Sequence, residues 1–105
     1  MKTDTSPLRI LLHAPTAAAL SRARNNAYNI AADDPAADVR IVVNGDAVAV
    51  VLEAPDPILD TRTLICPKTL GWMGRDAPSP LVVLPWGAAL SLALIQQEGW
   101  CYVRA

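Results

Sequence analysis

Thr61-Arg62-Thr63-Leu64-Ile65-Cys66-Pro67-Lys68-Thr69-Leu70-Gly71-Trp72-Met73-Gly74 is the stretch on which the fold turns. A strand predicted over Thr61 to Ile65 delivers Cys66, and Pro67 follows at once. Proline has no N–H and a preset φ, so it suits the first position of a helical turn. Cys66 is then the N-cap, where a buried strand ends and a helix begins. Such ends are where a parallel α/β sheet presents its reactive groups. Gly71, Gly74, Pro78 and Pro80 limit the next segment to a helical turn and a loop.

On the N-terminal side, Leu8 to His13 is a strand whose consecutive Ile10, Leu11 and Leu12 suit burial on both faces. Thr16 is the expected N-cap of a helix over Ala17 to Ala32. Leu20, Ala23, Ala27, Ile30 and Ala31 share one face of that helix, and Arg22, Asn26 and Asn29 form a polar stripe on another. Asp33-Asp34-Pro35 stops it. Val39 to Val43 is a second strand, ending at Asn44-Gly45. Two continuations fit. Asn-Gly suits a type I′ hairpin turn, and Val48, Val50 and Val51 favour a returning strand. Alternatively a short helix runs from Asp46, as N-cap, to Glu53. Ala54 to Asp60, with Pro55 and Pro57, is a loop.

On the C-terminal side, Leu81 to Leu84 reads as a buried strand and Trp86 to Glu98 as a helix with Gly99 at its C′ position. Trp100 to Val103 is a last short strand. Strands alternating with helices predict a mainly parallel sheet of about five strands with helices on both faces, a compact Rossmann-like α/β sandwich. Met1 to Pro7 is polar and reads as a flexible N-terminus, which leaves residues 8–105 as one domain.

Composition narrows the function classes. Of 105 residues 52% are hydrophobic and only 18% charged, which is apolar for so short a chain and points to surface buried between subunits. The helix from Trp86 to Glu98 is apolar nearly all round, so its second side is expected against a neighbouring copy. A net charge of −1 offers no basic field for nucleic acid. The longest apolar tract, Leu81 to Ile95, is broken by Pro85, Gly87 and Ser91 and is too short to span a bilayer. No targeting segment is evident, so a cytoplasmic location is expected. Two cysteines make no disulfide framework, and free thiols are expected. One histidine and two distant cysteines match no zinc spacing, and neither a Gly-rich dinucleotide loop nor a Walker loop is present, so no metal or cofactor is expected.

Three segments carry a family resemblance: Arg9 to Gly45, Leu64 to Gly74, and Leu81 to Ala105. A His ends the first strand, Asn residues lie in the first helix, and Asn-Gly follows the second strand. Cys-x-x-Thr-Leu follows the third, and Gln-Glu-Gly-Trp-Cys-Tyr-Val closes the chain. In this order they resemble the DsrE-like family of small sulfur-metabolism proteins, over most of the chain. The resemblance implies a Rossmann-like fold, homo-oligomers (often trimers or hexamers), and sulfur relay in which a cysteine takes up sulfane sulfur as a persulfide. It implies Cys66 as that cysteine, and a strand, turn and short helix at Asn44-Gly45. The chain departs from the family at Pro67 and at Glu53 to Asp60, where a short Pro-containing loop replaces an amphipathic helix. That loop is expected to trim one wall of a pocket and widen access to Cys66.

The residues also argue for themselves. A cysteine at a helix N-cap faces the positive end of the turn, which favours the nucleophilic thiolate, and Lys68 adds to the effect. The alternative is a small buried apolar residue. His13 can orient or deprotonate a thiol at the same sheet edge, or bond the backbone at a strand end. Asn44 and Gly45 can line a pocket or simply form the turn. Asn26 and Asn29 face the pocket or solvate their helix. Lys68 and Thr69 join the pocket as neighbours of Cys66. Cys101 is assigned a structural role, and Trp72 with Met73 can line a cleft or pack at a subunit contact, the contact being preferred. Two functions follow: a sulfur carrier using Cys66 with donor and acceptor proteins, or a non-catalytic oligomeric binding or scaffold protein in which Cys66 is inert.

Overall fold

The computed structural model describes residues 6–105. Residues 1–5, most of the segment expected to be flexible, lie outside the described residues. The elements run β1 (Arg9–Ala14), α1 (Ala17–Asp33), β2 (Asp38–Val43), α2 (Ala47–Glu53), a 3-10 turn (Asp60–Arg62), β3 (Thr63–Ile65), α3 (Pro67–Met73), β4 (Val82–Val83), α4 (Ala88–Gln97) and β5 (Cys101–Arg104). The five strands form one sheet in the order β4-β3-β2-β1-β5, and every neighbouring pair is parallel. The chain steps outward from β1 to β4, then α4 returns it to the far side of β1.

Two apolar layers sandwich the sheet. Leu12, Ala14, Ile41, Val43 and Ile65 pack on one face against Leu20, Ala23 and Ala27 of α1, Val48 and Val51 of α2, and Leu70 of α3. Leu11, Val42 and Cys66 pack on the other against Leu84, Ala88 and Leu92. Consecutive Leu11 and Leu12 feed opposite faces, as the period of two requires. This is the Rossmann-like α/β sandwich expected.

Local chemistry sets the element ends. Thr16, in extended backbone, accepts a 3.0 Å hydrogen bond from the Ala19 N–H and caps α1. Ala31, expected on the inward face, is exposed, and Ile30 is only partly covered; Ala31 lines an open cleft with Val39, Ile41 and Ile58 at this end of the helix. After β2 the chain takes the short helix and not the hairpin. Gly45 turns it with φ +56, and a Cβ there would sit 2.9 Å from the Pro15 carbonyl oxygen, so only glycine fits. Asp46 occupies the N-cap position of α2 in helical backbone and its carboxylate makes no capping bond; the Gly45 carbonyl instead accepts from the Val48 N–H at 3.1 Å.

Three elements are shorter than the sequence predicts. The third strand starts at Thr63, two residues late, because the 3-10 turn ties Arg62 N–H to the Leu59 carbonyl at 2.8 Å, and the Thr63 hydroxyl donates to the same oxygen. The stretch Leu81 to Leu84 shrinks to a two-residue edge strand whose Val82 and Val83 are each 44% exposed. It has a neighbour on one side only, and Pro78 and Pro80 precede it. The last helix begins at Ala88, after Gly87, and buries Ala88, Ser91 and Leu92 while Leu90 and Leu94 stay exposed. Gly99 does turn the chain after it, with φ +97.

Candidate functional site

All five strands point their C-terminal ends to one edge, and the chemistry-bearing residues collect there. Cys66 follows β3 and is the N-cap of α3, with Pro67 at the first helical position. The chain ties this corner down: Cys66 N–H donates to the Val43 carbonyl at 3.0 Å, and its own carbonyl accepts from Leu70 N–H at 3.3 Å. A second helix start meets the same sulfur. The N–H of Ala88, the first residue of α4, donates to Cys66 Sγ at 3.4 Å.

Burial pushes the Cys66 thiol up, but N–H and O–H groups near the sulfur outweigh it, the Ala88 N–H by a hydrogen bond. The amides of Thr69 and Ala88, the Thr69 hydroxyl and the Lys68 amide together hold the thiol below its usual value. The sulfur is also covered. Cys66 is only 5% exposed, and Leu84, Ala88 and Leu92 close over it. The short loop before β3 therefore does not open a way to the thiol. That loop enters the opposite end of β3, where Asp56 pins it by accepting from Ile58 N–H, Leu59 N–H and the Tyr28 hydroxyl. Access to Cys66 is decided on the α4 face.

His13, in β1, donates from Nε2–H to Asn44 Oδ1 at 2.8 Å, while the Tyr102 hydroxyl donates to Nδ1 at 2.6 Å. Both ring nitrogens are thus engaged, and neither bonds Cys66. These three side chains tie β5, β1 and the end of β2 together at the point where the strand order reverses. The Gly45 N–H donates to the Thr69 hydroxyl at 3.2 Å, which connects the Asn44-Gly45 turn to the Cys66 corner. Lys68 is exposed and its side chain lies along Gly87, where a Cβ would stand 3.3 Å from the lysine Cγ. His13, Asn44, Gly45, Cys66, Lys68 and Thr69 therefore gather at one edge. Asn26 and Asn29 do not join them: they lie in the second half of α1, which runs away from that edge along β1 and β2.

Sequence reasoning missed Tyr102, the Ala88 amide and Ser91, whose buried hydroxyl donates to the Trp86 carbonyl at 3.0 Å. The period-two alternation of the closing strand held the one usable signal, since it puts Tyr102 on the same face as Leu11, its neighbour in register, and as His13. Cys101, assigned a structural role, is an exposed free thiol on edge strand β5. Trp72 is 85% exposed, whereas Met73 packs on the larger core. Among the described residues no cluster of His, Cys, Asp or Glu is arranged to hold a metal, and no helix is long and apolar enough to cross a membrane. No protein-family model matches the chain, and no curated protein matches it.

Proposed function

We propose that the chain is a DsrE-like sulfur-relay protein in which Cys66 takes up sulfane sulfur as a persulfide. The observation that carries this reading is the meeting of two helix starts on one sulfur, with the Ala88 N–H at 3.4 Å and α3 beginning at Pro67. Donors aimed at a sulfur favour its anionic, nucleophilic form. In the step itself, the Cys66 thiolate attacks the outer sulfur of a donor protein's persulfide. A new S–S bond forms at Cys66, the donor's S–S bond breaks, and the donor leaves as a thiolate. The proton of the outer sulfur stays with it, so no external oxidant or reductant enters. An acceptor protein then takes the sulfur by the same exchange. The setting is cytoplasmic and needs neither metal nor organic cofactor.

The relay is proposed to act as a homo-oligomer, with a trimer or hexamer favoured. The outer side of α4 supports this, because Trp86, Leu90 and Leu94 are exposed apolar residues there, and Val82 and Val83 are exposed on the edge strand. Light scattering at micromolar concentration tests it, and a monomer sinks that part of the reading.

A second reading rests on a specific observation. At 5% exposure Cys66 packs like any core residue, beside Leu11, Val42 and Leu92, as an inert thiol in a binding or scaffold protein of the same fold would. Mass spectrometry after incubation with a persulfide donor separates the two. The relay reading expects one added sulfur on Cys66, absent from Cys66→Ser. No gain, while a reactive control thiol loads, leaves the scaffold.

A further inference from the structure

We propose that the segment Leu84 to Ala88 is a strap over Cys66, and that the thiol reacts only when this strap lifts by local opening, without unfolding of the sheet. The inference rests on the relay reading for its purpose but not for its test.

The strap supplies two of the three residues that cover the sulfur on the α4 face. Leu84 and Ala88 at its two ends are buried against Cys66, with Leu92 one turn further on. Few bonds hold it. The Leu84 N–H donates to the Ile65 carbonyl at 2.9 Å, the Ala88 N–H reaches Sγ at 3.4 Å, and Ser91 grips the strap twice, its hydroxyl donating to the Trp86 carbonyl at 3.0 Å and its N–H to the Gly87 carbonyl at 3.0 Å. Between these anchors Pro85 offers no N–H and Gly87 has no side chain. Trp86 is 56% exposed, so more than half of it is in water before the strap lifts.

What precedes the strap is equally weak. Strand β4 has two residues, a partner on one side, and exposed side chains. Segments with few buried contacts and short ladders open at free energies far below that of the global transition. By contrast, β1 and β2 have a strand on each side, and the α1–α2 layer packs on the larger core. Local opening of the strap therefore separates from global unfolding.

The experiment is thiol labelling across sub-denaturing urea, using an aromatic disulfide reagent and the Cys101→Ser chain so that Cys66 is the one thiol. The strap predicts a labelling rate with a shallow urea slope, a small fraction of the slope of global unfolding, until the transition is approached. Ser91→Ala removes one anchor and raises the shallow-regime rate about five-fold. Thr16→Ala, which uncaps α1 on the opposite face, lowers the unfolding midpoint and leaves the shallow-regime rate unchanged. A rate that follows the global slope from the lowest urea overturns the proposal, as does a rate that Ser91→Ala leaves unaltered. Failure of the relay reads differently. If Cys66 labels through the shallow regime yet takes up no persulfide sulfur, the strap stands and the carrier falls. If it loads sulfur at the rate of an open thiol, indifferent to Ser91→Ala, the carrier stands and the strap falls.

Discussion

The two sulfurs of this chain sit at opposite ends of a trade between activation and access. Cys66 closes a central strand, caps one helix, accepts the first N–H of another, and is almost wholly covered. Cys101 opens an edge strand and is exposed. Their sequence settings look alike, since each follows a bulky apolar residue and starts a change of element. What separates them is the sheet order. A strand end in the middle of a parallel sheet has helix starts gathered around it, while the last edge strand meets solvent along its length. The place that can activate a thiol is thus the place that buries it.

The heaviest blow to that contrast comes from the floor under Cys66. Leu11 is fully buried on the same face. Leu11→Ala is expected to cost about 2–5 kcal/mol, read from urea unfolding, and to bring Cys66 labelling close to that of Cys101. If labelling of Cys66 stays slow in that variant, the cover does not depend on the Leu11 layer. Replacing the sulfur is the next largest change. Cys66→Ser puts a hydroxyl into an apolar cluster and is expected to cost about 1–3 kcal/mol, the Ala88 N–H offsetting part of it. A pH series sharpens the point. The folded thiol is held below its unfolded value near 9.0, so the native state releases this proton first. Its contribution to stability is then fully present above the unfolded value and is lost as pH falls through the folded one. Urea midpoints of the wild type, corrected by those of Cys66→Ala, should rise from neutral pH towards pH 9; a flat difference removes the activated thiol.

Much of this contrast was legible in the sequence on one side and hidden on the other. The Ile65-Cys66-Pro67 junction gave the strand end, the N-cap and the helix start, because each depends on neighbours within a turn. The alternation of strands and helices likewise gave the α/β class. The cover over Cys66 was not legible, since the Ala88 amide comes from 22 residues away and depends on where α4 lands. Tyr102 was missed for the same reason: it meets His13 across 89 residues of chain, because β5 pairs with β1 and not with β4. The exposure of Val82 and Val83 is another product of strand order, as four residues with that composition in the sheet centre would be buried. Asn44-Gly45 was undecided locally. The Pro15 carbonyl, 2.9 Å from where a Cβ of Gly45 would lie, belongs to another part of the chain altogether.

Smaller changes probe the two sides apart from each other. Tyr102→Phe removes the donor to His13 Nδ1 and is expected to cost about 1 kcal/mol, with the imidazole nitrogen shifts in NMR reporting a freed Nδ1. Because His13 does not bond Cys66, the labelling rate of Cys66 should not move with it; a change there would show that β5 and the Cys66 corner are coupled through the Asn44-Gly45 turn and Thr69.

Cys101→Ser is expected to do least. Its side chain is exposed on the outermost strand, makes no hydrogen bond or ion pair among the described residues, and loses only a sulfur already in water. Stability should stay within about 0.5 kcal/mol of the wild type by urea unfolding. The fast phase of thiol labelling should vanish while the slow phase of Cys66 keeps its rate. If removing Cys101 slowed Cys66 or cut its uptake of sulfur, the exposed thiol would be receiving the reagent first and handing it inward. That result would join the two sulfurs into one path, and the separation of access from activation would become a division of labour between them.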